Sequence, residues 1–97
     1  MITIDAENPT ILVIEDDPAL QETLVKVLSH AGYLVESAST CSEGRDIFEI
    51  GRYACALIDL GLPDGSGLDL IQEFSATDPN TVQIVLTGES SAEVIIG

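Results

Sequence analysis

Short apolar segments alternate with longer amphipathic segments along the chain. Four apolar runs rich in β-branched residues predict strands over residues 10–14, 33–38, 54–58 and 81–86. Most of these runs are apolar at nearly every position, so the strands are expected to be covered on both faces of a sheet. The second run carries Glu36, which places that strand nearer an edge.

The segments between the strands have apolar residues at spacings of three and four, as in amphipathic helices. Helix-start signals precede four such segments: Asp17 with Pro18, Thr40 with Glu43, Ser66 with Asp69, and Ser90 with Glu93. The last signal predicts the start of a fourth helix over residues 92–96. This β-α-β-α-β-α-β order predicts an α/β fold with a three-layer, doubly wound parallel sheet. Residues 1–9 are interpreted as a leader and residues 10–97 as one domain.

The charge balance excludes several classes of partner. The 97 residues include 17 Asp and Glu but only 3 Lys and Arg, for a formal net charge of −14. So few cations cannot neutralise many phosphates, and we expect no direct nucleic-acid binding by this segment. No apolar run approaches the roughly 20 residues of a membrane span, and the first residues do not resemble a secretory signal. Cys41 and Cys55 lack metal-site spacing and are interpreted as reduced thiols in a cytoplasmic protein.

Polar residues follow three of the predicted strands. Glu15 and Asp16 come after the first, Asp59 ends the third, and Thr87 follows the fourth. Ligands of open parallel sheets bind beyond the carboxyl ends of the strands, where the strand order reverses. If the first and third strands are neighbours, Asp16 and Asp59 converge, and such carboxylates are hard to keep ionised without a cation. The spacing therefore suggests a Mg²⁺ site, with the Thr87 hydroxyl and the Gly88 amide able to bind a phosphoryl group.

Simpler interpretations remain open for these polar residues. Asp17 is explained as a helix N-cap, and Asp64 by the turn chemistry of a Pro-Asp-Gly sequence. Glu15 and Asp16 are also compatible with solvated loop charges. Thr87 and Gly88 are equally compatible with the entry to a turn.

Three segments resemble the receiver domain of two-component response regulators: ILVIEDD at 11–17, ALIDLGLPDGSG at 56–67 and IVLTG at 84–88. The resemblance implies a flavodoxin-like fold with strand order 2-1-3-4-5 and phosphoryl transfer from a histidine kinase to an aspartate.

The resemblance also assigns roles to individual residues. It implies that Asp59 is the phosphoacceptor and a Mg²⁺ ligand. Asp16 is a second ligand, Glu15 holds the metal through water, and the carbonyl of Gly61 adds a further ligand. The same resemblance implies that Thr87 follows the phosphoryl group with its hydroxyl. It implies in addition that the Gly88 amide contacts a phosphoryl oxygen.

The implied partner is a histidine kinase or a phosphotransfer protein, and the implied output is transcription regulation through another domain or partner. Such a domain is a phosphoacceptor that assists only its own phosphoryl transfer and hydrolysis, not an enzyme acting on other molecules. One alternative is a receiver-like interaction module that is never phosphorylated. A Mg²⁺-dependent phosphatase is a weaker alternative, because Gly61 occupies the place of the required general acid.

The chain departs from the family at its end. It stops at Gly97, before the fifth strand and fifth helix of that fold and before the Lys that the fifth strand normally carries. Lys26 lies in the first predicted helix and does not correspond to it. A shortened chain is the favoured explanation, ahead of a naturally short protein or a partner chain that completes the sheet. The fourth strand would then be an open edge, and we expect a homodimer through that edge or through helix four.

Overall fold

The computed structural model describes residues 10–86 and the backbone of Ala92–Ile95. Its elements are β1 (Thr10–Ile14), α1 (Pro18–His30), β2 (Leu34–Ala38), α2 (Cys41–Ile47), β3 (Tyr53–Asp59), β4 (Gly61–Leu62), β5 (Gly65–Ser66), α3 (Gly67–Thr77), β6 (Val82–Leu86) and β7 (Ala92–Ile95). The predicted leader at residues 1–9 lies outside the described residues. None of the helices in the described part of the chain has the length and hydropathy of a membrane span.

A five-stranded sheet with order β2-β1-β3-β6-β7 forms the centre of the molecule. The first four of these strands are parallel, which confirms the predicted doubly wound α/β fold and its 2-1-3-4 order. In this register Ile14 pairs with Ile58, and Asp59 pairs with Leu86. The carboxyl ends of β1, β3 and β6 therefore lie side by side at one edge of the sheet.

The two faces of the sheet bury separate apolar cores, as expected for strands that are apolar at consecutive positions. One core joins Leu12, Ile14 and Ile58 to side chains of α2 and α3. The other joins Val13 and Leu57 to side chains of α1. Packing on both faces holds the strand ends in place. The strand ends in turn determine where the loops that follow them begin.

Residues 92–95 form an antiparallel strand on β6, so the prediction of a fourth helix there is wrong. The register pairs Leu86 with Ala92 and Gln83 with Ile95. Pairing satisfies the backbone groups along the outer edge of β6, and β-branched residues such as Ile95 favour strands. The fourth predicted strand is therefore not an open edge. The expected dimer surfaces, that edge and helix four, are both absent from the described arrangement.

Candidate metal and phosphoacceptor site

Three carboxylates meet at the carboxyl edge of the sheet. Glu15, Asp16 and Asp59 each place a carboxylate oxygen so that the three oxygens lie within 4.8 Å of one another. Glu15 and Asp16 directly follow β1, and Asp59 is the last residue of β3. Because β1 and β3 are neighbours, residues separated by more than forty positions in the sequence become adjacent in the fold.

Glu15 is the most buried member of this cluster, with 4% of its surface exposed. The pKa of Glu15 is raised to about 7, chiefly by burial, and the nearby charges of Asp59 and Asp16 act in the same direction against a hydrogen bond that lowers it. That opposing bond is donated by the Asp17 N–H to Glu15 Oε1 at 3.2 Å. The cluster therefore holds its full negative charge only at a cost, which a bound cation would offset.

The Asp59 carboxylate accepts a hydrogen bond from the loop that follows it. The N–H of Gly61 donates to Asp59 Oδ1 at 3.1 Å, and the N–H of Leu60 donates to the Leu86 carbonyl at 3.4 Å. These bonds fix the direction in which the carboxylate leaves β3. The contact shown for Gly61 is through its amide, and the role of its carbonyl as a metal ligand stays a prediction.

Gly67 allows the chain to pass close behind Asp59. A Cβ placed on Gly67 would lie 2.0 Å from the backbone carbonyl oxygen of Asp59 and 2.9 Å from Leu60 Cα. Both contacts are with backbone, so no side-chain rotation relieves them. Only glycine fits here, and this is the physical reason for the glycine that begins α3.

The Lys and Arg side chains form ion pairs away from the carboxylate cluster. Each Lys and Arg forms an ion pair with a carboxylate outside the cluster: Lys26 with Glu22, Arg45 with Glu73, and Arg52 with Glu36 and Glu49. None of these pairs includes Glu15, Asp16 or Asp59. The negative charge of the cluster is thus left for a ligand to balance.

Two side-chain contacts that the sequence did not predict join separate parts of the fold. Gln21 Nε2 donates to the Glu15 carbonyl at 2.8 Å, and Asp64 accepts bonds from the N–H groups of Cys41 at 2.7 Å and Ser42 at 3.0 Å. Turn chemistry alone therefore does not explain Asp64, whose carboxylate caps α2 from a distant loop. Neither contact has a local sequence signal, because each depends on how helices pack on the sheet.

The remaining predicted residues have mixed outcomes. The prediction that Asp17 is an N-cap is confirmed, since its Oδ1 accepts from the N–H groups of Ala19 at 3.0 Å and Leu20 at 3.4 Å. Thr87 and Gly88 lie outside the described residues. Thr87 directly follows Leu86, the residue that pairs with Asp59.

The donor set fits a hard divalent cation. All three side chains offer oxygen, which Mg²⁺ prefers, and only a few protein ligands are needed because the ion keeps several waters. Two of the three carboxylates are at least partly accessible from solvent, so water can complete the coordination. A phosphoryl oxygen could replace one such water beside Asp59.

Comparisons with known proteins agree with this geometry. Residues 11–96 match the family model described as the response regulator receiver domain. The non-phosphorylated receiver domain of HemR from Leptospira biflexa has a TM-score of 0.81 and 34% identity, over 87% of this chain and 68% of that one. The response regulator TrrA from Thermotoga maritima, solved in complex with Mg²⁺ and BeF, has a TM-score of 0.76 and 30% identity, over 81% and 69% of the two chains.

A curated relative extends the comparison to whole proteins. The transcriptional regulatory protein PmrA from Pectobacterium parmentieri is 34% identical over 83 residues, which are 86% of this chain and 37% of that protein. The chain spans less than half the length of the curated relatives it matches. Family match, fold and carboxylate cluster lead to one conclusion: the chain belongs to the response regulator receiver domain family.

Proposed function

We propose that the chain accepts a phosphoryl group on Asp59, in a Mg²⁺-dependent transfer from a histidine kinase or a phosphotransfer protein. The observation that carries the proposal is the convergence of Glu15, Asp16 and Asp59 within 4.8 Å. Such a cluster, with no Lys or Arg ion pair of its own, suits a cation that in turn attracts phosphate. The Mg²⁺–BeF complex of TrrA supports this choice of metal by similarity.

The transfer requires little chemistry beyond positioning and charge neutralisation. A carboxylate oxygen of Asp59 attacks phosphorus, a new O–P bond forms, and the P–N bond of the phosphohistidine breaks with its electron pair leaving on the imidazole. Mg²⁺ held by Glu15, Asp16, Asp59 and the Gly61 carbonyl would offset the charge shared by carboxylate and phosphoryl oxygens. In this proposal Thr87 and Gly88 contact the phosphoryl oxygens with a hydroxyl and an amide.

The proposed output is a switch in transcription regulation, acting through another domain or a partner. PmrA is described as a transcriptional regulatory protein, and the chain matches about a third of that protein's length. A cytoplasmic location belongs to the same proposal, and the two free, buried thiols of Cys41 and Cys55 fit a reducing compartment.

Intact mass spectrometry tests the proposal. The protein is incubated with acetyl phosphate and MgCl₂, and we expect a mass increase of one phosphoryl group that EDTA abolishes. Asp59→Asn should show no increase. Asp69→Asn is the matched control, because Asp69 lies in the first turn of α3, outside the cluster, and its variant should be phosphorylated like the wild type.

Two results would contradict the proposal. An adduct that persists in Asp59→Asn would place the phosphoacceptor elsewhere. A wild-type protein that neither gains mass nor responds to Mg²⁺ would favour the alternative, an interaction module of the same fold that is never phosphorylated.

A further inference from the structure

We propose that Gln21 is a positioning residue for the acidic loop, holding Glu15 and Asp16 in the geometry that binds the metal. The inference rests on the proposed function, because it concerns the same site. The Gln21 side chain on α1 contacts the loop after β1 and the end of β2 at once.

The contacts of Gln21 come from a single amide nitrogen. Its Nε2 donates to the carbonyl oxygens of Glu15 at 2.8 Å and Ala38 at 3.0 Å, and lies 3.2 Å from Ser39 Oγ. The Ala38 carbonyl also accepts from the Glu15 N–H at 3.0 Å. Gln21 thereby joins α1 to the carboxyl ends of both β1 and β2.

The Glu15 carbonyl is a sensitive point for the site. It belongs to the peptide group that links Glu15 to Asp16, so its direction sets how both residues leave the strand. The Asp17 N–H binds the Glu15 side chain on the other side of the same short loop, and Asp17 itself caps α1. Gln21 adds a third contact to this loop by donating to the Glu15 carbonyl from α1.

Side chains that hydrogen-bond to metal-binding residues orient them, and removing such a side chain commonly weakens metal binding strongly. The three oxygens of this cluster come from two strands, and only two of the side chains share a loop. A rotation of the Glu15–Asp16 peptide group therefore changes the distances from the Glu15 and Asp16 carboxylates to the Asp59 carboxylate, while the helices and strands stay folded. The inference predicts a loss of metal affinity that exceeds the loss of stability.

Gln21→Met provides the test, since methionine has similar length and no N–H donor. Thr81→Val is the matched control: Thr81 Oγ1 donates to the Tyr53 carbonyl at 2.9 Å, in a buried bond at the opposite end of the strands. The binding of MgCl₂ is followed by NMR through the backbone amide signals of Asp16 and Gly61. Unfolding temperatures are measured in EDTA.

We expect Gln21→Met to weaken Mg²⁺ binding about tenfold, and Thr81→Val to change it less than about twofold because that site is distant. Both variants should lower the unfolding temperature. In EDTA, the chemical shift of the Asp16 amide should change in Gln21→Met and not in Thr81→Val. This measurement detects a change in the loop conformation in the absence of metal.

An unchanged Mg²⁺ affinity in Gln21→Met, together with a lower unfolding temperature, would overturn the inference and leave a purely structural contact. An equal loss of affinity in both variants would overturn it as well. A wild-type protein that does not bind Mg²⁺ at all would refute the proposed function first, and the inference with it. The wild-type titration thus separates failure of the site from failure of the positioning role.

Discussion

Glu15 is the residue at which burial and negative charge oppose each other most directly. Burial raises its pKa to about 7, above the ordinary value of 4.5, and the charges of Asp59 and Asp16 act in the same direction. The folded state therefore favours the protonated form. In the absence of metal, the stability linked to Glu15 is fully present below about pH 4.5 and is lost as the pH rises to about 7.

Asp59→Asn should stabilise the metal-free protein at neutral pH. The substitution removes a carboxylate beside Glu15, so we expect a lower pKa of Glu15 and a free energy of unfolding that is higher by on the order of 1 kcal/mol. Urea unfolding in EDTA at several pH values measures the effect. The gain should shrink below about pH 5, where Glu15 is protonated in both proteins. A destabilised variant at neutral pH would show that repulsion from Asp59 does not contribute to the raised pKa of Glu15.

Gly67→Ala should disturb the loop after Asp59, because Gly67 at the start of α3 contacts the backbone of that loop. The new Cβ would lie 2.0 Å from the Asp59 carbonyl oxygen, and we expect a loss of about 2 kcal/mol or more in unfolding free energy from overpacking. Gly61→Ala is the control, because nothing lies within 4 Å of a Cβ there. Thermal unfolding of both variants decides the point. Equal stabilities would mean that the backbone around Asp59 moves easily.

At the residue scale, the sequence identified the three carboxylates that meet at the sheet edge but not the side chain that contacts their loop. Glu15, Asp16 and Asp59 stand out because each follows an apolar run, and the parallel pairing of those runs brings them together. Gln21 does not stand out, since one polar residue in a helix gives no sign of which carbonyl it will meet. Its role depends on how α1 packs against two strand ends.

The β4–β5 hairpin and α2 form a unit that ties the loop after Asp59 to the rest of the fold. The Asp64 carboxylate accepts from the N–H groups of Cys41 and Ser42, which lowers its pKa from the ordinary value. A carboxylate at a helix N-terminus also interacts favourably with the helix dipole. The loop that carries Gly61 is thus anchored by an element that follows a different strand.

Asp64→Asn should lower the midpoint of urea unfolding at neutral pH. The pKa of Asp64 is depressed in the folded state, so its contribution is present above the ordinary pKa of about 3.9 and is lost as the pH falls through the lower folded value. The difference between wild type and variant should narrow below about pH 4. Asp46→Asn, on the same helix beyond its first turn, serves as the control. A difference that does not change with pH would mean that the charge of Asp64 contributes nothing.

At the element scale, the predicted strands and the first three predicted helices agree with the structure, whereas the segment after β6 and the loop after β3 differ from the prediction. The four strands and three helices follow from runs of apolar residues and from caps such as Asp17 and Thr40, which act within one turn. Ser90 and Glu93 matched a capping box that predicted a helix over 92–96, yet residues 92–95 pair with β6. An unpaired strand edge offers a row of N–H and C=O groups with which another segment can pair. The short hairpin of β4 and β5 occupies a stretch that the sequence indicated only as a loop.

For the whole molecule, a net charge of −14 makes a specific metal site harder to distinguish from general screening. Added Mg²⁺ should raise the unfolding temperature more at about pH 8 than at about pH 5.5, because Glu15 with its pKa near 7 must lose a proton for the site to fill. At a Mg²⁺ concentration of about 100 times Kd, the expected increase in the free energy of unfolding is ~2.7 kcal/mol.

KCl at matched ionic strength controls for screening, which acts on all surface carboxylates alike. A response to KCl as large as the response to MgCl₂, or one that does not depend on pH, would argue against a specific site at the carboxyl edge of the sheet. The same titration with Asp59→Asn should show a smaller response to MgCl₂, since one carboxylate of the cluster is gone.

The identity of the phosphorylated residue tests the central claim most directly. Borohydride reduces an aspartyl phosphate to homoserine, so the protein treated with acetyl phosphate and MgCl₂ can be reduced, digested and mapped by mass spectrometry. The account predicts homoserine at position 59 only, and none when EDTA is present. Homoserine at another acidic residue, or its absence from a fully mapped and Mg²⁺-loaded protein, would contradict it.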